Sequence, residues 1–478
     1  MKSLLLFCIF FLSSVMLYSQ DGIETWSQSY STTSRVYAMA INPVNQNILF
    51  AGTLDGGIFK STNEGINWAA SNTGMTYNHV QCLAISASNP NIIFAGTDSL
   101  GGWATSGVYK STDAGATWTL VSQDIYDSKG IQALVVHPTN PNIVYCGVFN
   151  ALAVSAVGLW KSTNGGVNWF ASSTGMDNKQ VLCIALNPLN PNVLYSGTSM
   201  MSPSGSTGPC KIFKSCDAGA TWTAAVNGIP QLSTDNNPIR CLSISNVDTN
   251  LLIAGIFMNA TALTGGMYKT TNGGQMWTKI HTGLVNATGT LPRSCLIRPG
   301  TTNEYFVGMD NSATATAKGV FRTTDGGATW TSFVGGSMQN TYAIRAMVYK
   351  TTVLETLYAG DGGTATANSG TGIYEYSYLP SNIGNPNSGL PSKFDLLQNY
   401  PNPFNPVTKI SYQLPSSGFV RLTVYDMLGR ETAVLVNGYL KAGYYNVDFN
   451  AAGIPSGIYF YRLTAGSFIS VKKMILVK

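Results

Sequence analysis

Four aspartates, Asp55, Asp98, Asp310 and Asp361, stand at similar places in an internally repetitive sequence, each just after an apolar stretch that ends near glycine. Asn150 and Asn259 hold that place in two other repeats. Two carboxyl groups facing each other across a cleft can hydrolyse a glycoside, one giving a proton and the other acting as base or nucleophile. Asp55 and Asp361 are each followed by Gly-Gly and read as turn residues. Asp98 and Asp310 are therefore the candidate catalytic pair. A second set sits at the second position of an alternating apolar stretch in successive repeats: Tyr37, Gln81, Gln132, Leu182, Arg240, Arg293 and Arg345. Arginines in three adjacent repeats could grip a carboxylate or sulfate in bidentate fashion. They could equally pair with loop carboxylates and close the centre of the fold. Trp103, in the inserted loop Ser99 to Ser106, could stack on a sugar ring. His79, His137 and His281 lie at non-equivalent positions, too sparse for a histidine metal cluster or a Ser-His-Asp triad. No phosphate-binding glycine loop opens a helix. No metal or cofactor is expected.

The elements that must position these residues are announced by a turn, [ST]-x-[DN]-x-G-x-x-W, that occurs six times. Its Asp/Asn and Trp positions are Asn63 and Trp68, Asp113 and Trp118, Asn164 and Trp169, Asp217 and Trp222, Asn272 and Trp277, Asp325 and Trp330. The tryptophans are 50, 51, 53, 55 and 53 residues apart, a period that means stacked or circular repeats. Hydroxyl and Asp/Asn side chains close the turn onto nearby backbone, Gly supplies a positive φ, and Trp leaves to be buried between repeats. Each repeat also carries an alternating strand, an Asn/Pro turn, a strand ending in Gly, and a third strand entering the turn. Four antiparallel strands per repeat make a propeller blade. First, second and third strands number seven, but the turns number six. The missing fourth strand is expected at Glu24 to Tyr30, so that both chain ends share one blade and no sheet edge is left open. In this order the first strands begin, and the second strands end, on the face opposite the repeated turns, which makes that face the one to search for a site.

The turn resembles the Asp-box of sialidase-like, sortilin-like and xyloglucanase-like β-propellers, where it is a folding element remote from the active site. The resemblance does not carry sialidase machinery. Arg35-Val36-Tyr37 stands where that family has Arg-Ile-Pro, and no Tyr/Glu nucleophile pair can be assigned among Glu24, Glu64, Glu304, Glu355 and Glu375. Xyloglucanases usually have two such propellers, and sortilin-like receptors add cysteine-rich modules. Further along, Asn399-Tyr400-Pro401-Asn402-Pro403-Phe404-Asn405-Pro406, Val424 to Arg430, Pro455 to Tyr461 and Lys472-Lys473 resemble the type A C-terminal sorting domain of the type IX secretion system of Bacteroidetes-like bacteria. That implies a small Ig-like sandwich read by the outer-membrane translocon, with the cargo released or attached at the cell surface.

The expected fold class is all-β: a seven-bladed β-propeller followed by a small Ig-like β-sandwich. The division is 1–19 signal peptide, 20–378 propeller, 379–393 a Pro/Ser/Asn/Gly-rich linker, and 394–478 sorting domain. Lys2 followed by the apolar run to Leu12 reads as a secretory signal, and no later stretch is long and apolar enough to span a membrane. Net charge is +5, but residues 394–478 hold eight Lys/Arg against four Asp/Glu, and residues 3–393 hold 18 of each. A neutral main domain carries no electrostatic footprint for nucleic acid. Cys82, Cys183 and Cys241 share one repeat position with Ala38, Ala133 and Ala346, so they read as small buried residues, not bridges. Cys210 and Cys216 lie too far apart along one strand to bond readily. The function expected is that of an exported propeller binding a glycan or protein ligand on the face opposite the turns, through Arg240, Arg293, Arg345 and Trp103. The alternative is a glycoside hydrolase using Asp98 and Asp310.

Overall fold

The computed structural model describes residues 26–478 except 33, 99–105, 123–124, 126–129, 150–157, 178–179, 200–209, 231–236, 258–264, 285–290, 311–317, 339–342, 353–354, 364–370, 378–390, 392, 441 and 478. The proposed signal peptide, Trp103 and most of the expected linker thus lie outside the described residues. Among the described residues every regular element is a strand. Seven four-stranded antiparallel sheets follow one another along residues 27–377. The innermost strands form a closed ring: Val36–Ile41 contacts Val80–Ile85, the contacts continue blade by blade, and Ile344–Lys350 returns to Val36–Ile41.

The second-strand glycines allow this ring to close. A Cβ on Gly52 would stand 2.5 Å from Val80 Cγ1 of the next blade, and one on Gly360 would stand 2.5 Å from Val36 Cγ1, across the join between last and first blades. Hydrogen there is what permits neighbouring sheets to pack at backbone distance.

The N-terminal stretch closes the seventh blade, as expected. The closing strand is Ser27–Thr32, which takes in Ser27 to Tyr30 of the expected stretch and runs two residues further, and it pairs antiparallel with Thr371–Ser377. Trp26 precedes this strand, as Trp68 precedes Ala69–Ala70. Its indole donates to Phe333 O at 2.8 Å, matching Trp118 to Ser71 O at 2.7 Å and Trp330 to Ile280 O at 2.7 Å in complete repeats. Trp26 therefore fills the tryptophan position of the repeat that lacks the turn.

In the repeated turn, Ser111 Oγ donates to Asp113 Oδ1 (2.8 Å) and accepts from Gly115 N (2.8 Å). Asp113 also accepts from Thr117 N (2.8 Å) and from Thr117 Oγ1 (2.6 Å). These bonds, the Thr117 hydroxyl first, hold the Asp113 carboxyl down at about 2. Lys110 Nζ reaches the following blade and donates to Gly165 O at 2.9 Å. One turn is thus bonded within its blade and to both neighbours. The cysteines among the described residues are all free thiols, Cys210 and Cys216 included.

Residues 395–476 form a separate sandwich of a three-stranded and a four-stranded sheet, closed over Ile410, Tyr412, Leu422, Tyr461 and Leu463. The Asn-Tyr-Pro-Asn opening is anchored by the buried Asn399, whose N–H donates to Tyr461 Oη at 2.8 Å and whose Nδ2 donates to Thr408 Oγ1 at 2.9 Å.

Candidate functional site

In each innermost strand the pairing register slips at one residue, between Val36 and Ala38, Val80 and Cys82, Ile131 and Ala133, Val181 and Cys183, Ile239 and Cys241, Pro292 and Ser294, and Ile344 and Ala346. The residues left unpaired are Tyr37, Gln81, Gln132, Leu182, Arg240, Arg293 and Arg345. A β-bulge re-aims the side chain it strands, and all seven line one central cavity of about 470 Å³. Pro292 fits at such a bulge because it has no N–H to give to the ladder. Below this rim come the small side chains of the next strand position, Ala38, Cys82, Ala133, Cys183, Cys241, Ser294 and Ala346, and below those a mostly apolar tier that includes Met39, Leu134 and Met347. The shared cysteine position is therefore a neck in the channel wall. Burial pushes the Cys82 and Cys183 thiols well up, so they remain protonated.

The three arginines come together as an arc across consecutive blades. Arg240 and Arg293 both lie against the Phe257 ring, their guanidinium carbons 5.6 and 5.9 Å from its centre, and Arg345 lies 4.5 Å from the centre of the Tyr37 ring. Burial first, and then Arg293 and Arg345, pull the Arg240 guanidinium down to about 9. Like charges are being held close together in a partly dry place.

Asp310 sits within this arc. Its Oδ2 accepts from Arg293 Nε at 2.6 Å, and its Oδ1 lies 3.7 Å from Arg345 Nη2. Asp98 lines the cavity and accepts at Oδ2 from Gln132 Nε2 at 3.0 Å. Of the two aspartates expected to form an acid–base pair, Asp310 is thus held by arginines and Asp98 by a glutamine. Asp361 is fully buried, accepts from Gly363 N at 2.8 Å, and is pushed up to about 7 by burial against the opposing pull of the Gly363 and Ala343 backbone and then of Arg345 and Arg35. Its Oδ2 has no hydrogen-bond partner.

Another cluster went unread in the sequence. His79 Nε2 lies 3.0 Å from Asp55 Oδ1, and the Tyr77 ring lies 5.1 Å from the imidazole. The Tyr77 hydroxyl is raised by burial, then by Asp98 and Asp55. Asp55 follows the second strand of the first blade and Tyr77 and His79 stand just before the first strand of the next, and comparing repeats for equivalent histidines concealed the grouping. Phe257 was also missed, although Phe149 holds the equivalent place after the second strand of the third blade, because an aromatic there looks like ordinary loop. Among the described residues no three His, Cys, Asp or Glu side chains gather as a metal site would need.

Residues 398–478 match the secretion system C-terminal sorting domain family. No curated relative matches the chain. Among solved structures, the chain is similar to a GH74 xyloglucanase from Xanthomonas campestris, with TM-score 0.53 and 13% identity over 81% of this chain and 59% of that one. It is similar to a GH74 enzyme of Niastella koreensis, with TM-score 0.53 and 18% identity over 94% and 75%. It is also similar to PorZ, described as an essential surface component of the type IX secretion system of Porphyromonas gingivalis, with TM-score 0.50 and 13% identity over 93% and 60%. The chain spans about three-fifths of the Xanthomonas enzyme. At such identities these likenesses establish the propeller fold. With its sorting domain, the chain is a β-propeller protein of the type IX secretion route, delivered to the outer surface or the extracellular space.

Proposed function

We propose that this protein is a surface or secreted binding propeller that takes an anionic group of an extracellular glycan or protein ligand on the face opposite the repeated turns. In this reading residues 1–19 are a signal peptide, residues 379–393 a linker, the repeated turns Asp-boxes, and the sorting domain from residue 394 the part that engages the translocon. The observation that carries the reading is the arc of Arg240, Arg293 and Arg345, three bulge residues of consecutive blades lining one cavity. Cation–π contacts with Phe257 and Tyr37 hold the three guanidinium groups at the rim, and a carboxylate or sulfate is the ligand chemistry such a cluster favours. Trp103, in the loop that follows Asp98 in sequence, adds an aromatic contact in the same reading. The glycosidase alternative is less well served, because both oxygens of Asp310 face guanidinium groups and are withdrawn from a substrate.

The test is calorimetry of the full mature chain against neutral, carboxylated and sulfated oligosaccharides and short acidic peptides. Binding of anionic members, weakened at least about tenfold in Arg240→Met/Arg345→Met and falling with salt, is expected. Equal affinity for neutral and anionic members would sink the reading. New oligosaccharides in the same mixtures, lost in Asp98→Asn, would install the hydrolase instead.

A further inference from the structure

The rim of the cavity has two poles. The arginine arc occupies the fifth, sixth and seventh blades. Asp98 directly follows the second strand of the second blade and is bonded to Gln132 of the third, which places it half-way round a ring of seven from Arg293. Between the poles the wall is uncharged: a neck of Ala, Cys and Ser, then Met39, Leu134, Met347 and their neighbours.

We infer that the mouth recognises a zwitterion, namely a short peptide with free termini and a central apolar side chain. The carboxylate lies on the arginine arc, the ammonium on Asp98, and the side chain enters the neck between them. This rests on the reading of the arc as an anion site and adds the opposite pole and the channel wall. Each part follows from chemistry at the rim. Guanidinium edges match a carboxylate in bidentate geometry. A carboxylate already accepting from Gln132 still has lone pairs for an ammonium. An apolar wall with a thiol and alanine neck admits a methyl-bearing side chain and gives a charged one no partner. A neutral polysaccharide would use neither pole.

The discriminating experiment uses the full mature chain and four probes: Gly-Leu-Gly, its N-acetyl form, its C-terminal amide, and Gly-Gly-Gly. Titration calorimetry should give Gly-Leu-Gly at least about tenfold tighter than either capped form, with Gly-Gly-Gly weaker than Gly-Leu-Gly. A series from two to five residues then measures the distance between the poles, since each extended residue adds about 3.3–3.6 Å. In Asp98→Asn, the penalty for N-acetylation should vanish and that for amidation should remain. Thermal melting of this rim variant confirms that it is folded.

If N-acetylation costs nothing in the unmutated protein while amidation does, the two-pole inference is overturned and the anion site stands. If no peptide binds but anionic oligosaccharides do, the peptide inference falls and the broader proposal survives. If amide and acid bind alike and no anionic sugar binds, both fall.

Discussion

The two faces of the propeller use repetition in opposite ways. On the turn face the same side chains recur: Ser/Thr, Asp/Asn, Gly and Trp make the same bonds in successive blades, as Ser61, Ser111 and Ser162 each accept from the glycine four residues on. At the channel mouth it is the backbone that recurs. Seven bulges fall at one strand position, and the side chains they aim are tyrosine, two glutamines, leucine and three arginines. A ring of blades needs identical joints, because each turn must meet the next blade in the same way. It does not need identical mouths. A repeat that preserves where a side chain points while varying what it is builds an asymmetric site on a symmetric frame, and that asymmetry places the arginines together on one side.

The comparison can be broken most severely on the turn face. Trp222 is buried, and its indole donates to Ser172 O of the preceding blade at 2.7 Å. Trp222→Ala should lower stability by about 3–5 kcal/mol, since it leaves both a cavity and an unmet carbonyl. Gln81→Ala, at a bulge on the opposite face, should stay within about 0.5 kcal/mol. Urea midpoints of the two variants measure the contrast. Similar losses would mean that the mouth is as structural as the turns.

The second test concerns a carboxyl that the mouth itself destabilises. Asp361 is held near 7 where an exposed aspartate lies near 4, so the folded chain binds its proton more tightly than the unfolded chain does. Stability from this group is fully present below the ordinary aspartate range and falls as pH rises towards 7. The decline should amount to at most about 4 kcal/mol, and Asp361→Asn should flatten it. A wild-type profile already flat between pH 4 and 7 would show that the backbone donors and the two arginines together fully offset the burial.

The turn face was legible because its pattern is covalent and local. Hydroxyl, carboxyl or amide, glycine and tryptophan at fixed spacing signal the same turn wherever they occur, and alternating apolar residues mark the strands. The seventh blade was legible by counting, although Trp26 was read as part of the strand and not as its lead-in. At the mouth, the sequence showed which residues align but not why they face the channel, since the bulge is a pairing event between strands. Whether an arginine meets a ligand or a neighbouring carboxylate is likewise decided across blades. Arg293 and Asp310 are in one repeat, but Arg345 reaches the same aspartate from the next. His79 and Asp55 also meet only because two loops converge.

The finest test lies inside the turn itself, where the repetition is imperfect. The residue after the Asp/Asn has positive φ in every copy. It is Gly165, Gly273 and Gly326 in three copies, but Glu64, Ala114 and Ala218 in the others, at φ of 62°, 57° and 56°. Glu64 has a reason to stay, because its carboxylate pairs with Lys350 Nζ at 2.6 Å across the closing join. The two alanines have no such contact to keep; Lys60 bonds only the Ala114 carbonyl, which glycine would preserve. A left-handed residue with a Cβ costs roughly 1–2 kcal/mol, while glycine loses about 0.4–1 kcal/mol more conformational entropy on folding. The balance favours Ala114→Gly and Ala218→Gly by about 0.5 kcal/mol each, and Gly326→Ala should lose a similar amount, all read as small shifts in the urea midpoint. Opposite signs for the two directions would establish that backbone conformation limits these turns. A loss in both directions would mean that each copy has been fitted separately to its own blade.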